Sequence, residues 1–461
     1  MTLIKSISGI RGTIGGKPGE SLTPIDVVRF TTAFAQQIRN KQLKDNYKVV
    51  IGRDARVSGE MVLSLVAGTL MGMGIDVIEL GFATTPTVEL GVTWHKADGG
   101  IILTASHNPG QWNALKLLNE KGEFISAEQG AELLQLAASD SVSYTEVDKL
   151  GKLLSFNNMD EIHVDAVLKM KYVDTDAIRK ARFKVVIDCV NSVGGIILPV
   201  LLEKLGAEVI KLYCEPTGKF PHNPEPLPQH LGDISKAVKE HQADVGFVVD
   251  PDVDRLVIVN EDGSMFGEEY TLVAVADYVL SHGAGNTVSN LSSTRALADV
   301  TARYGGKYSA AAVGEVNVVN EMKRVNAIIG GEGNGGVIYP DLHYGRDALA
   351  GIGLFLSHLA LSGKKCSELR KSYPDYFNSK NKLELKPGTN VDELISRVRE
   401  KYEGFPINNS DGIRIDFDRE WVHLRKSNTE PIIRVISEST TQQKAEELAL
   451  KMIREINELI S

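Results

Sequence analysis

"KVVIGRDARVSGEMVLSLVAGTLMGMGIDVIELG", residues 48–81, returns reworked as "KVVIDCVNSVGGIILPVLLEKLGAEVIKLYCE", residues 184–215. Both stretches begin Lys-Val-Val-Ile, cross a loop into an apolar helix-period segment, and close on Gly-x-x-Val-Ile-x-Leu, Gly74 to Leu80 and Gly206 to Leu212. A β-branched run, a helical segment, a glycine stop and a second β-branched run make a βαβ unit. Such crossovers join parallel strands and lay helices on both faces of the sheet. A weaker third copy starts at "NTVSNLSSTRALADVTARYGGKYSAAAVGE", residues 286–315. The repeats predict three similar mixed α/β domains, and a charged α+β tail follows where they cease.

The remaining sequence places the boundaries. A chain of 461 residues exceeds one ordinary core and fits roughly three or four domains of about 100–150 residues. We expect domains at 1–150, 151–262, 263–373 and 374–461, divided at the polar "ASDSVSYTEVDKLGK" (138–152), near "EDGSMFGE" (261–268) and near "YPDYFNSKNKLELKPGTN" (373–390). The proline-dense "EPTGKFPHNPEPLPQH" (215–230) sits inside the second repeat, so it reads as a rigid surface loop and not a linker. A net charge of −9 argues against a nucleic-acid partner, whose domains carry a basic face. No stretch reads as a signal peptide or a membrane span, and three sparse cysteines give neither a disulfide framework nor a zinc site. A cytoplasmic protein is the expectation.

Four loops carry the chemistry. In "ILTASHNPGQWNALKL" (102–117) an apolar strand ends on Ser106 and His107, with Lys116 ten residues beyond the serine. An acyl-transfer elbow needs Gly-x-Ser-x-Gly, which is absent here. A cap or turn serine and a phosphate-carrying serine both remain open on this stretch alone. Lys116 fits a proton-transferring amine if burial or neighbouring cations lower its pKa; a solvated surface lysine is the competing reading. "DVGFVVDPDVDRLVIVNEDG" (244–263) sets Asp250, Asp252 and Asp254 between two β-branched runs, where alternate residues of an extended loop point the same way. Three such carboxylates suit Mg²⁺ with room for water and a phosphate oxygen. An EF-hand also matches at Asp250, Asp252, Asp254 and Glu261, but its obligatory glycine is Arg255 and strands flank the loop. "GGEGNGGVIYPDLHYGRD" (330–347) carries Glu332, placed either to grip vicinal hydroxyls or simply in a hairpin turn. "LRKSNTEPIIRV" (424–435) gathers Arg425, Ser427, Asn428, Thr429 and Arg434 into what reads as a phosphate cradle.

Taken together the chain resembles the α-D-phosphohexomutases, the phosphoglucomutase/phosphomannomutase superfamily. The motifs "SGIRG" (8–12), "TASHNP" (104–109), "DPDVDR" (250–255), "GEGNGG" (331–336) and "RKSNTEP" (425–431) occur in family order along the whole length. The resemblance implies three α/β domains and a smaller C-terminal domain enclosing one central cleft. It implies that Ser106 is a phosphoserine, that Asp250, Asp252 and Asp254 hold one Mg²⁺ together with a phosphoserine oxygen, and that Lys116 is the general acid/base. Arg11 and Arg255 would stabilise charge, and His107 and Asn113 match the serine loop. Glu332 would hold sugar hydroxyls, with Asn334 beside it, and Arg425, Ser427, Asn428, Thr429 and Arg434 the distal phosphate. A hexose 1,6-bisphosphate would serve as intermediate and activator, on a monomer or homodimer whose partners are sugar phosphates. No Gly-x-x-x-x-Gly-Lys-[Ser/Thr] occurs, in keeping with a phosphate store that needs no nucleotide.

The sequence also departs from its relatives. Many end the sugar loop Glu-x-Ser-Gly-His, where Asn334 and Gly336 stand here. A histidine common in the third-domain strand of the phosphomannomutase branch is Glu315, and His343 and Arg346 in "HYGRD" are candidates to compensate. "SGIRG", "EGNGG" and "SNTEP" are more similar to phosphoglucosamine mutases and their archaeal-type relatives than to the animal glucose enzyme. A carboxylate at Glu315 would attract the ammonium of an amino sugar. The expected reaction is therefore glucosamine 6-phosphate to glucosamine 1-phosphate, ahead of a dual glucose/mannose phosphomutase. A metal-dependent serine phosphatase and a non-catalytic sugar-phosphate binder are the readings from other classes.

Overall fold

The computed structural model describes residues 2–6, 9–41, 43–139, 142–385, 390–426 and 432–460. It divides into two compact units, Met1–Thr271 with Asn334–Ser367, and Leu272–Gly333 with Glu368–Ser461.

Two sheets build the first unit. In the N-terminal one, strand Tyr47–Arg53 lies between Ile75–Phe82 and Gly99–Leu103 and is parallel to both. Val49, Val50 and Ile51 are wholly buried, which is why the run is continuously apolar: a central parallel strand has helices on both faces. The crossover helix Gly59–Gly72 buries Val62, Val66 and Leu70, spaced four apart along one stripe, and the chain leaves it through Gly74 at φ +75°. Trp112–Leu118 then pairs antiparallel with Gly99–Leu103, and Gly9–Thr13 antiparallel with Trp112–Leu118.

The second sheet repeats the plan. Lys184–Asp188 pairs in parallel with Glu208–Leu212 and Val245–Val249, and Leu256–Asn260 closes on Val245–Val249 antiparallel. The proline-dense segment stays inside this repeat, joining Glu208–Leu212 to helix Gly232–Glu240. In the second unit Asn286–Asn290 is flanked in parallel by Tyr308–Ala311 and Ala327–Glu332, so the third copy is present as well. Each copy thus runs strand, helix, strand, then a third parallel strand. The serine loop, the acidic loop and the Glu332 loop all begin where that third strand ends. The carboxyl ends of parallel strands are where open α/β sheets place ligands.

The C-terminal residues form an antiparallel five-stranded sheet in the order Phe377–Glu384, Ile432–Ser439, Trp421–Lys426, Ile413–Asp416, Ile407–Asn408. One face buries Ile413, Ile415, Val422, Leu424, Ile433 and Val435 against Leu394 and Val398 of Val391–Lys401 and Leu448, Met452 and Ile456 of Gln442–Ile460. Among the described residues no helix is long and apolar enough to cross a membrane. Ile51 has no exposed surface and lies at the centre of the N-terminal sheet, so Ile51→Ala leaves a cavity costing about 2–5 kcal/mol. The expected result is a clearly lowered melting temperature in a thermal scan. An unchanged one contradicts this packing.

Candidate active site

The serine loop joins Gly99–Leu103 to Trp112–Leu118. Ser106 is buried and sits at φ +49°, a left-handed conformation that L residues adopt only when their surroundings impose it. Its Oγ donates to Asp250 Oδ2 at 2.7 Å, and His107 Nδ1 lies 3.3 Å from Ser106 Oγ. Burial, reinforced by Arg255, pushes His107 down to about 2, so its imidazole is neutral. Asn113 is fully buried and bonds Ser58 Oγ at 2.9 Å, a contact that ties the far end of the loop to the crossover helix.

Asp250, Asp252 and Asp254 are all wholly buried, and a ligand oxygen from each lies within 4.8 Å of the other two. They do not converge by extension, as the sequence reading expected. The loop turns, with Val253 N–H bonded to Asp250 O at 3.1 Å and Val253 itself at φ +63°. A β-branched residue there is strained, and neighbouring chain pins it. Thr85 N–H bonds Asp252 O, Ser192 Oγ bonds Pro251 O, Ala348 N–H bonds Val253 O, and Leu256 N–H bonds Gly335 O. Gly335 has φ +87°, and a Cβ there would stand 2.3 Å from Leu256 O. Glu261, the last EF-hand position, instead accepts bonds from Ser367, so the EF-hand reading fails in the structure too.

Cations surround the acids. Lys116 Nζ is 2.6 Å from Asp252 Oδ2 and 3.4 Å from Asp254 Oδ2. Arg346 Nη2 donates to Asp254 Oδ2 at 2.6 Å. Arg255 Nε lies 4.0 Å from Asp250 Oδ2 and 3.9 Å from Asp254 Oδ1, beyond hydrogen-bond range. Arg11 pairs with Ala114 across the strands and therefore shares a sheet face with Lys116. Burial raises Asp250, and Asp254 and Asp252 raise it further. Burial would also raise Asp254, but Arg346, Lys116 and Arg255 outweigh it and hold that carboxyl low. The expectation of a lowered Lys116 is corrected: burial does push it down, yet Asp252 and Asp254 overcome this and keep the ammonium firmly charged.

The donor set fits a hard divalent cation. Asp252 Oδ1 and Asp254 Oδ1 are buried without a hydrogen-bond partner among the described residues, and both belong to the convergent cluster. Buried carboxylate oxygens of this kind are normally satisfied, and an all-oxygen set with Ser106 Oγ alongside suits Mg²⁺. Sequence reasoning missed Thr85, whose Oγ1 donates to Asp252 Oδ2 at 2.6 Å, and the buried pair Asp54 and Arg56. Within "GRDAR" those two look like surface charge, and only a fully buried ion pair at the end of a strand would have flagged them. His343 is not available to a sugar. Its ring nitrogens lie 3.2 Å from Glu89 Oε2 and 3.2 Å from Asp347 Oδ2, and although burial opposes its charge these carboxylates lift it to about 10. Asp347 also pairs with His163 at 2.8 Å and caps helix Ala348–Ser362.

The second unit holds a separate set of candidates. Glu332 is buried, with Oε1 accepting from Asn290 Nδ2 at 2.9 Å and Gly314 N–H at 3.3 Å. The expectation that Glu315 lies on a strand is corrected: it opens helix Glu315–Val325 directly after Gly314 at φ +117°. Arg425 Nε bonds Asp411 Oδ2 at 2.8 Å and faces Arg434 across the strand pair. Like charges directly opposite are unfavourable without an anion between them. Ser427, Asn428 and Thr429 lie outside the described residues. Asn334 falls in the first unit, where its Oδ1 accepts from Gly336 N–H at 3.3 Å.

Comparison with known proteins completes the assignment. Family models for phosphoglucomutase/phosphomannomutase match end to end: α/β/α domain I at residues 3–142, domain II at 161–263, domain III at 267–376 and the C-terminal domain at 382–455. The chain belongs to the phosphoglucomutase/phosphomannomutase family. This phosphohexomutase, an isomerase that transfers a phosphoryl group within a sugar phosphate, is 36% identical to a phosphoglucomutase/phosphomannomutase of Thermococcus kodakarensis over 96% of this chain and 98% of that one. It is 33% identical to a probable phosphoglucosamine mutase of Methanopyrus kandleri, over 96% and 95%. A crystal structure of a family member from Burkholderia thailandensis superposes with a TM-score of 0.83 at 26% identity, covering 98% of each chain. For the phosphohexomutase, saturating Mg²⁺ should raise the melting temperature, because binding to the folded state alone stabilises it. Asp254→Asn should remove most of that rise, whereas an equal rise in both proteins would place the ion elsewhere.

Proposed function

We propose that Ser106 carries a phosphoryl group which this enzyme donates to one hydroxyl of a hexose monophosphate and recovers from the other, with glucosamine 6-phosphate and glucosamine 1-phosphate as the pair interconverted. The observation that carries the phosphoserine reading is the 2.7 Å hydrogen bond between Ser106 Oγ and Asp250, inside a cluster that also holds Lys116. Phosphoryl transfer demands positioning and charge neutralisation above all. When bound, Mg²⁺ supplies part of that neutralisation, and Asp250, Asp252, Asp254 and Ser106 are the residues that would hold it. Arg255 and Arg11 stabilise charge on the transferring group. Lys116 holds a proton at Nζ for the sugar oxygen that is leaving and takes it back from the one that attacks. Glu332 grips ring hydroxyls, Asn334 lies close in sequence, and Arg425, Ser427, Asn428, Thr429 and Arg434 hold the phosphate that does not react. A hexose 1,6-bisphosphate then acts as both intermediate and activator.

The preference for an amino sugar rests on Glu315, a buried carboxylate next in sequence to Gly314, whose N–H bonds Glu332. Neighbouring acids favour an ammonium over a hydroxyl. A dual glucose/mannose phosphomutase is the second reading, favoured by the name of the Thermococcus kodakarensis relative.

Turnover on glucosamine 6-phosphate, glucose 6-phosphate and mannose 6-phosphate separates the two readings, and the expected order puts glucosamine first. Glu315→Gln should lower kcat/KM for the amino sugar about tenfold and spare glucose phosphate. Negligible glucosamine turnover, or equal loss on both sugars, contradicts the assignment. Lys116→Met should cost about 10²–10⁴ in kcat if the amine moves the proton. A loss of only a few-fold removes it from that role.

A further inference from the structure

We propose that Arg56 is the positioning residue of the phosphoacceptor: it fixes the backbone of the serine loop so that Ser106 Oγ is presented to the acidic cluster. The inference rests on the phosphoserine reading above and adds a residue that reading does not use. Arg56 is 1% exposed, and every N–H of its guanidinium is spent. Nε donates to Asp54 Oδ2 at 3.0 Å. Nη1 donates to the carbonyls of Pro109 at 2.7 Å and Trp112 at 3.0 Å, and Nη2 to those of Ser106 at 2.5 Å and Asn108 at 2.6 Å. One planar fork thus gathers four carbonyls from both ends of the loop, a task that the three rotatable donors of a lysine do not duplicate.

A second linkage runs from the same carboxylate. Asp54 Oδ1 accepts the Arg56 backbone N–H at 2.9 Å, Asp54 Oδ2 accepts from Thr104 Oγ1 at 2.6 Å, and Thr104 Oγ1 accepts the N–H of Ser106 at 3.0 Å. The carbonyl and the amide of Ser106 are therefore both anchored to the Asp54–Arg56 pair, which accounts for its left-handed φ of +49°. With both backbone groups held on that side, the side chain is left to meet Asp250. The proline-dense loop closes the pair off: the Phe220 ring lies 5.1 Å from the Arg56 guanidinium carbon, and Gly218 approaches so near that a Cβ would stand 1.9 Å from Ala55 O.

When a hexose bisphosphate recharges the enzyme, a bond forms from Ser106 Oγ to phosphorus and the bond from phosphorus to the sugar oxygen breaks, while the serine proton ends on that oxygen. Arg56 touches none of these atoms, so its loss should lower the rate of transfer and leave substrate affinity alone. The test uses full-length wild type, Arg56→Lys and Thr104→Val. Phosphorylation of Ser106 by glucose 1,6-bisphosphate is timed by intact-mass and peptide analysis, beside kcat, KM and the melting temperature. We expect Arg56→Lys to slow both phosphorylation and kcat about a hundredfold and Thr104→Val about tenfold, with KM within about threefold of wild type. Wild-type rates in either folded variant, or a raised KM with kcat kept, overturn the proposal, and if Arg56→Lys does not fold Thr104→Val decides alone. A wild-type protein that takes up no phosphoryl group on Ser106 sinks the phosphoserine reading itself and this inference with it. Labelled wild type with equally fast variants sinks only Arg56.

Discussion

Three buried carboxylates on one turn set the terms for the rest of the first unit. Unit charges about 4 Å apart repel by about 4 kcal/mol even at an effective dielectric of about 20, against a total stability of about 5–15 kcal/mol for a domain. Asp250, Asp252 and Asp254 therefore require positive charge, and the fold brings it from separate stretches of chain: Lys116 from the strand after the serine loop, Arg255 from the acidic loop itself, and Arg346 from the loop before helix Ala348–Ser362. Even so, two carboxylate oxygens stay without hydrogen-bond partners among the described residues. That remainder is what a divalent cation would satisfy.

Repetition of one supersecondary unit explains where the loops lie. Each α/β copy ends its third parallel strand in a loop that carries candidate site residues, Ser106 in the first, the aspartates in the second and Glu332 in the third. The strained positions sit in the first two, Ser106 at φ +49° and Val253 at φ +63°, each held by many hydrogen bonds from the surrounding chain. Backbone strain of about 1–3 kcal/mol persists only where neighbours over-determine it. Arg56 and Asp54 do this for the serine loop; Thr85, Ser192 and Ala348 do it for the acidic loop.

Much of this was legible in the sequence. The KVVI repeats declare the α/β plan because buried parallel strands leave an unmistakable apolar signature, and the acidic loop declares itself because like charges rarely cluster without cause. What escaped was tertiary. Nothing local tells that Arg56 is buried, since its partners are carbonyls as far along the chain as Trp112. The resemblance to the phosphomannomutase branch put Glu315 on a strand, whereas Gly314 at φ +117° precedes a helix that begins at Glu315. The sign of the Lys116 shift depended on Asp252 and Asp254, more than a hundred residues away. His343, a candidate to compensate for the histidine that Glu315 replaces, is gripped instead by Glu89 and Asp347.

The role proposed for the three acids that converge beside the Ser106 hydroxyl is to hold a divalent ion against that oxygen. Anomalous diffraction from crystals grown with Mn²⁺ tests this directly. The account predicts a single strong peak within bonding distance of Asp250, Asp252, Asp254 and Ser106 Oγ. An empty cluster, or a peak that leaves Ser106 out of reach, would contradict it.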